Sequence, residues 1–361
     1  MIPNVHHSEV RILKIFLRCF HLPLPLPLRA HVPSHSSSKA QIHRIHTHTH
    51  TKMSTASTAV FEKPLLTRML PVDPLTPEEG SDQVPDKVQR RARQVSGLFS
   101  YVWPELSEDP RLVSVSRGAI EGAGFSANEA SVAELTLLTS GDLQSLTTKG
   151  SKNKLRPYAS NYVGFQFGVF AGQLGDGRAI TVGRTNGVDL QLKGAGRTPF
   201  SRFADGRAVL RSSIREFLAS EFMHAIGVPS SRALALVTTG EPVLREDGPE
   251  PGAIVLRSAP SWLRFGSLEL PFYRQDLPAL TAVADLAIKQ DFSDLPSINE
   301  SIVLASGDTV SLNVYARLLA RVVDRTALLI AHWQAIGFQH GVMYVFSFEE
   351  IFLLLLVLVL H

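Results

Sequence analysis

The chain has 361 residues, 44% of them hydrophobic and 19% charged, with a formal net charge of +3. That is apolar material enough for a large core, and it excludes a disordered or collagen-like chain. The positive balance is local. Residues 1–52 hold seven Lys or Arg against one acid, Glu9, and the remainder sits near neutrality at −3, so the body carries no basic footprint for nucleic acid. A single cysteine, Cys19, excludes intrachain disulfides and thiolate zinc sites.

Residues 1–52 are rich in Pro, His and Ser. Arg11, Lys14, Arg18 and Arg29 lie among Ile12, Leu13, Ile15, Phe16 and Leu17, a pattern that fits a mitochondrial presequence. The alternative is a start at Met53, which places the protein in the cytoplasm. The run from His46 to Thr51 reads as a weak metal binder or as a flexible low-complexity stretch. Residues 53–90, with Pro71, Pro74, Pro77 and Pro85, read as an extended arm or linker. Residues 91–150 read as helical in pieces, among them Asn128–Thr139 with Leu135 and Leu138. The apolar run Ile351–Leu360 is shorter than the roughly 20 residues a membrane-spanning helix needs.

The chemistry-bearing stretch begins at Tyr162. Gly164, Gly168, Gly172, Gly175 and Gly177 crowd the segment before Arg178. Such a loop lets backbone N–H groups approach phosphate oxygens, and it also suits a tight turn between strands. Ala179–Gly183 reads as a strand, Asn186-Gly187 as a hairpin turn, and Val188–Lys193 as a strand of period two. Lys193 therefore stands at a strand end, downstream of a glycine-rich loop. Asp205 to Gly227 then reads as a helix, with Asp205 as N-cap, Gly227 past the C-terminus and Leu210, Ile214, Phe217, Leu218 and Phe222 as the buried stripe. Glu216 borders that stripe. It either reaches a lysine on a neighbouring strand or pairs with Arg215, Arg211 or Ser220. Gly252–Arg257 reads as a further strand. Arg257 and Arg264 either neutralise phosphate or pair with Glu246 or Glu269. Val310–Phe338 reads as mainly helix, with Leu312, Val314, Leu318, Leu319, Val322, Leu328, Leu329 and Trp333 facing apolar surroundings; His332 and His340 read as packed or loop histidines.

Taken together, Gln166-Phe-Gly168, Ala171-Gly-Gln-Leu-Gly-Asp-Gly-Arg-Ala-Ile180, Gln191-Leu-Lys-Gly-Ala-Gly196, Thr198-Pro-Phe-Ser-Arg202, Asp205–Leu218, Arg264-Phe-Gly-Ser267, Trp333–Phe338 and His340-Gly-Val-Met343 resemble the selenoprotein O (SelO), or YdiU-like, family. The resemblance covers about residues 90–343. It implies a mixed α/β, protein-kinase-like fold of two lobes that binds ATP and moves AMP to Ser, Thr or Tyr hydroxyls of protein substrates with Mg²⁺ or Mn²⁺. Residues 91–270 are expected to form the nucleotide-binding small lobe and residues 271–343 an incomplete helical large lobe. By the same resemblance Gly175, Gly177 and Arg178 form the nucleotide loop. Lys193 binds phosphate with Glu216 as its partner, Asp205 and Gly206 add nucleotide contacts, and Arg257 and Arg264 are the arginine pair on the phosphates.

The sequence departs from the family after Met343. The family continues Asn-Thr-Asp-Asn-Met, which supplies the catalytic Asp and a metal-binding Asn, and a later Asp-Tyr-Gly-Pro supplies a second metal ligand. Here Tyr344-Val-Phe-Ser-Phe-Glu-Glu350 and an apolar tail, 344–361, stand instead. No catalytic base or metal ligand is therefore assigned, and Glu349 and Glu350 do not match in spacing. Smaller departures are Phe165 for His, Arg184 for Glu and Arg197 for Pro. The expectation is a C-terminally truncated, inactive form of an adenylyltransferase. The alternatives are a short isoform that binds ATP without catalysis, as a regulatory or interaction module, and a product that does not fold stably.

Overall fold

A computed structural model describes residues 59–79, 85–146, 155–166, 169–295, 300–303 and 309–339. The expectations for the leader, for Gly168, for His340–Met343 and for the tail lie outside these residues.

The described body is mixed α/β, as the sequence suggests. Its centre is an antiparallel sheet of eight strands: β1 (Phe99–Tyr101), β2 (Arg111–Val115), β3 (Tyr158–Ser160), β6 (Ala179–Thr185), β7 (Val188–Lys193), β8 (Ala208–Val209), β9 (Arg232–Arg245) and β10 (Gly248–Ala259). The order is β1-β3-β6-β7-β10-β9-β2, with β8 paired to β10. A separate hairpin joins β4 (Val163–Gln166) to β5 (Val169–Gln173). In a second unit, β11 (Glu300–Val303) pairs with β12 (Thr309–Leu312).

Local chemistry accounts for the strands that matter. Asn186 and Gly187 both take positive φ, 44° and 78°, the backbone of a two-residue turn whose twist matches its flanking strands. The turn fixes β6 against β7. The period of two then sends Leu190 and Leu192 to one face and Asp189, Gln191 and Lys193 to the other. The leucine face joins Ile180, Val182, Leu234, Ile254 and Leu256 in the main core. Covering it are α3 (Arg117–Gly122) and α4 (Glu129–Thr139), which follow α1 (Leu65–Met69) and α2 (Asp86–Gln89) and precede α5 (Leu143–Leu146). Asn128 starts α4 by accepting the Ser131 N–H at 2.9 Å.

The opposite face is covered by α6 (Leu210–Ala225), which seats Phe217 on Ala233, Ala253 and Val255. Two expectations for this helix are corrected. Its N-cap is Val209, without a side-chain cap, because Ala208 and Val209 are drawn into the sheet against Ala253 and Gly252. Asp205 instead accepts the Arg207 N–H at 2.9 Å and pairs with Arg245 at 2.7 Å. The buried line is Ser213, Phe217 and Ser220, whereas Leu218 is 61% and Phe222 59% exposed. The underlying strands present alanines, so small serines bring the helix close, and that approach carries Glu216 to β7 and β10. The C-terminal expectation holds: Gly227 takes φ 81° and bonds His224 O.

A second core gathers Phe99, Tyr101 and Tyr158 with α7 (Phe265–Tyr273), α8 (Leu277–Asp291) and α9 (Val314–Ala335). Asp276 caps α8 at the Ala279 N–H, and Asn313 caps α9 at the Tyr315 and Ala316 N–H groups. The stretch read as mainly helix is helix over Val314–Ala335, with Thr309–Leu312 before it in strand. Leu318 and Leu319 are buried as expected, but Leu328 is exposed. Where α8 ends, Gln290 donates to Asp189 Oδ2 and Pro260 O, while Arg325 donates to Asp291 O. Burial pushes the Asp291 carboxyl up to about 6, with the neighbouring Asp189 adding to the shift. No helix among the described residues is long and apolar enough to cross a membrane.

Candidate functional site

Lys193, the last residue of β7, stands opposite Ala179 of β6 and Val255 of β10. Its Nζ lies 2.5 Å from Glu216 Oε2 on α6. The other oxygen of that carboxylate lies 3.0 Å from Arg257 Nη1 on β10. One carboxylate therefore joins two cations from two strands. Two of the alternative partners of Glu216 are engaged elsewhere: Arg211 pairs with Glu250, and Ser220 Oγ donates to Ser231 O. Burial pushes the Lys193 amine below the ordinary lysine range. The adjacent Arg257 pushes the same way, and Glu216 opposes both.

Arg264 precedes α7. Its guanidinium pairs with Asp176 Oδ1 at 3.5 Å and lies over the Tyr162 ring, 4.9 Å from the centroid. Asp176 is 3% exposed and also accepts the Ser160 N–H. It sits between Gly175 and Gly177, so the glycine-rich loop is joined to the arginine that follows the sheet. Arg178 is close enough to Lys193 to disfavour its charge, and its carbonyl accepts the Gly194 N–H. Arg257 is held on a third side by Trp262, whose ring centroid is 4.5 Å away.

Of the two readings of the glycine-rich loop, residues 175–177 take the tight turn. The amides of Gly175, Asp176 and Gly177 are already bonded to Tyr162 O, Ser160 O and Gly175 O. A Cβ on Gly175 would lie 2.3 Å from the Phe200 ring, and one on Gly177 would lie 2.8 Å from Phe200 O. These glycines seat the loop on Thr198–Ser201, where Ser201 Oγ donates to Gly177 O. The cationic side chains, rather than the amides at 175–177, are left to meet an anion.

Asp205 and Gly206 lie beside the Gly194–Gly196 turn that follows Lys193. Gly206 O accepts the Gly196 N–H, and a Cβ on Gly206 would meet Gly196 O at 2.1 Å, a contact only glycine permits. Arg207 is clasped by Glu105 and Glu241, which pins this turn to the sheet. Of the residues the sequence singled out, Lys193, Glu216 and Arg257 meet directly. Arg264 joins the loop through Asp176, and Asp205 is committed to Arg245. Arg184 lies at the far end of β6, bonded to Asp189 and Gly187 O, and Arg197 is exposed. Phe165 stacks edge-on against Phe170.

Sequence reading missed Asp176, Gln191, Tyr162 and Trp262 as parts of the site. Gln191 had a signal, since it lies two residues before Lys193 in a strand and shares its face. Among the described residues, no group of three or more His, Cys, Asp or Glu is placed to hold a metal ion.

A family model described as protein adenylyltransferase SelO matches residues 125–345. A protein nucleotidyltransferase YdiU of Xanthomonas axonopodis pv. citri (strain 306) is 45% identical over 289 residues, which cover 77% of this chain and 50% of that relative. Proteins of the same name from Xanthomonas campestris pv. campestris (strain 8004) and Xanthomonas oryzae pv. oryzae (strain PXO99A) are 44% and 46% identical over 281 and 264 residues. They are matched over 75% and 70% of this chain and over 49% and 47% of their own lengths. The chain spans about half the length of the curated relatives it matches.

Proposed function

The chain belongs to the SelO family of protein adenylyltransferases, and on that footing we propose that it binds ATP with the triphosphate against Lys193, Arg178, Arg257 and Arg264. The observation that carries this reading is the charge balance of the cluster. Three cations, Lys193, Arg257 and Arg264, share two carboxylates, Glu216 and Asp176, and Arg178 adds a fourth positive charge near Lys193, whose own charge burial already disfavours. A polyanion supplies the missing negative charge and relieves the repulsion between Lys193 and Arg257. Glu216 sets the spacing of two of the cations, in the way a kinase-like site fixes its lysine against phosphate.

In this reading the longer family architecture transfers AMP to hydroxyl side chains of proteins. Attack at the α-phosphorus expels pyrophosphate, and the arginines and Lys193 stabilise the charge that builds on the leaving group. A carboxylate base must take the proton from the attacking hydroxyl. The sequence has Tyr344–Glu350 where the family carries that base, so the proposal for this chain is nucleotide binding without AMP transfer of its own. The test is thermal unfolding with and without ATP, alongside transfer of labelled AMP to protein. Stabilisation by ATP without labelling supports the reading. Labelling by this chain overturns the second half of it, and no ATP-dependent shift overturns the first.

A further inference from the structure

Four neighbouring strands carry a polar row through an otherwise apolar sheet. Tyr158 of β3 stands opposite Thr181 of β6, Thr181 opposite Gln191 of β7, and Gln191 opposite Arg257 of β10. Tyr158, Thr181 and Gln191 are almost completely buried. Burying a hydroxyl and an amide is costly unless each finds a partner, and Thr181 and Gln191 find theirs within the row. Thr181 lies beside Tyr158, close enough to act on its hydroxyl. Gln191 Nε2 donates to Thr181 Oγ1 at 3.1 Å, and Gln191 Oε1 accepts from Arg257 Nη2 at 2.5 Å. The amide has one workable orientation, because a guanidinium only donates and the carbonyl must therefore face it.

Arg257 has three holders of different kinds: the Glu216 carboxylate, the Trp262 ring and the Gln191 carbonyl. Glu216 divides its charge between Arg257 and Lys193. A second carboxylate at position 191 would fix the guanidinium equally well but would cancel its charge. A neutral carbonyl fixes it and leaves the charge for a ligand.

We propose that Gln191, anchored by Thr181, is a positioning residue that holds the Arg257 guanidinium in its phosphate-facing pose without neutralising it. This rests on the ATP reading above. Gln191→Met keeps the length and apolar fit of the side chain and removes both hydrogen bonds. It is expected to weaken ATP binding about tenfold, the loss of one hydrogen bond to a charged group, while adenosine binding changes by less than about twofold. A merely structural role would lower both alike. In an Arg257→Met background, Gln191→Met is expected to cost nothing further, since its effect passes through Arg257. Should Gln191→Met fail to fold, Thr181→Val frees the amide end with little change in shape, and it is expected to weaken ATP binding more than adenosine binding.

Three results are decisive against the proposal. An unchanged ATP affinity in Gln191→Met overturns it, as does an equal loss for ATP and adenosine, or a loss that persists in the Arg257→Met background. If Arg257→Met and Lys193→Ala both bind ATP as wild type does, the phosphate reading itself falls and the role of Gln191 with it. If those two lose ATP and Gln191→Met does not, only the positioning role falls.

Discussion

Glu216 Oε2 lies 2.5 Å from Lys193 Nζ, while its other oxygen reaches Arg257 at 3.0 Å, so a single helix residue clamps two strands of the sheet. Removing that charge leaves two close cations, both mostly withdrawn from water. Glu216→Gln is therefore expected to destabilise the ligand-free protein by about 1–3 kcal/mol, the cost of breaking a buried pair discounted for its residual exposure. Urea unfolding measures it. An unchanged midpoint would mean that the clamp is not under electrostatic load.

The depressed Lys193 amine gives ATP binding a pH dependence. Burial, with Arg257 beside it, moves the amine below the ordinary lysine range, so it loses its proton at lower pH than a free lysine does. A neutral amine does not attract phosphate. ATP affinity is expected to fall as pH rises through that lowered value, and Lys193→Arg, whose guanidinium stays charged, is expected to flatten the profile. Calorimetric titration across the alkaline range checks both.

Stability carries a pH signature of its own at the end of α8. The Asp291 carboxyl is pushed up to about 6 by burial, aided by Asp189, with Ser261, Arg184 and Arg325 pulling the other way. An unfolded Asp titrates near 3.9, so between about 4 and about 6 the folded state holds a proton that the unfolded state has released. Stability is expected to fall as pH rises through that window. Asp189, raised by its own burial, contributes with the same sign. Asp291→Asn is expected to reduce the slope, measured by denaturant midpoints at a series of pH values; an undiminished slope would place its origin elsewhere.

The two faces of α6 differ in what they hold. Phe217 packs on Ala233, Ala253 and Val255, whereas Leu218 stands 61% exposed. Phe217→Ala is expected to cost about 3–5 kcal/mol and Leu218→Ser to stay within about 0.5 kcal/mol. Equal costs would restore the stripe that helical periodicity suggests.

That contrast shows what sequence carries and what it does not. The β6–β7 hairpin was legible because Asn186-Gly187 demands positive φ and the following residues alternate strictly. The helix end at Gly227 was legible for a similar local reason. The pairing of Lys193 with Glu216 was legible from family resemblance rather than from spacing, and the arrival of Arg257 at the same carboxylate was not. The buried line of α6 was not legible, since its choice of Ser213 and Ser220 over Leu218 depends on the small alanines of strands that come later in the chain. Asp205 looked like a helix cap because nothing local reveals that residues 208–209 pair with β10. The sequence left the glycine-rich loop open between a phosphate cradle and a tight turn for the same reason: Phe200, some two dozen residues downstream, fills the space beside Gly175.

The most direct test of the central claim is the ATP-dependent shift in thermal unfolding of the wild-type chain and of Lys193→Ala. The account predicts a clear upward shift for wild type and its loss in the variant, because the lysine supplies one of the four charges that an ATP triphosphate would meet. An equal shift in both proteins would contradict it and move the nucleotide away from the Lys193–Glu216–Arg257 cluster.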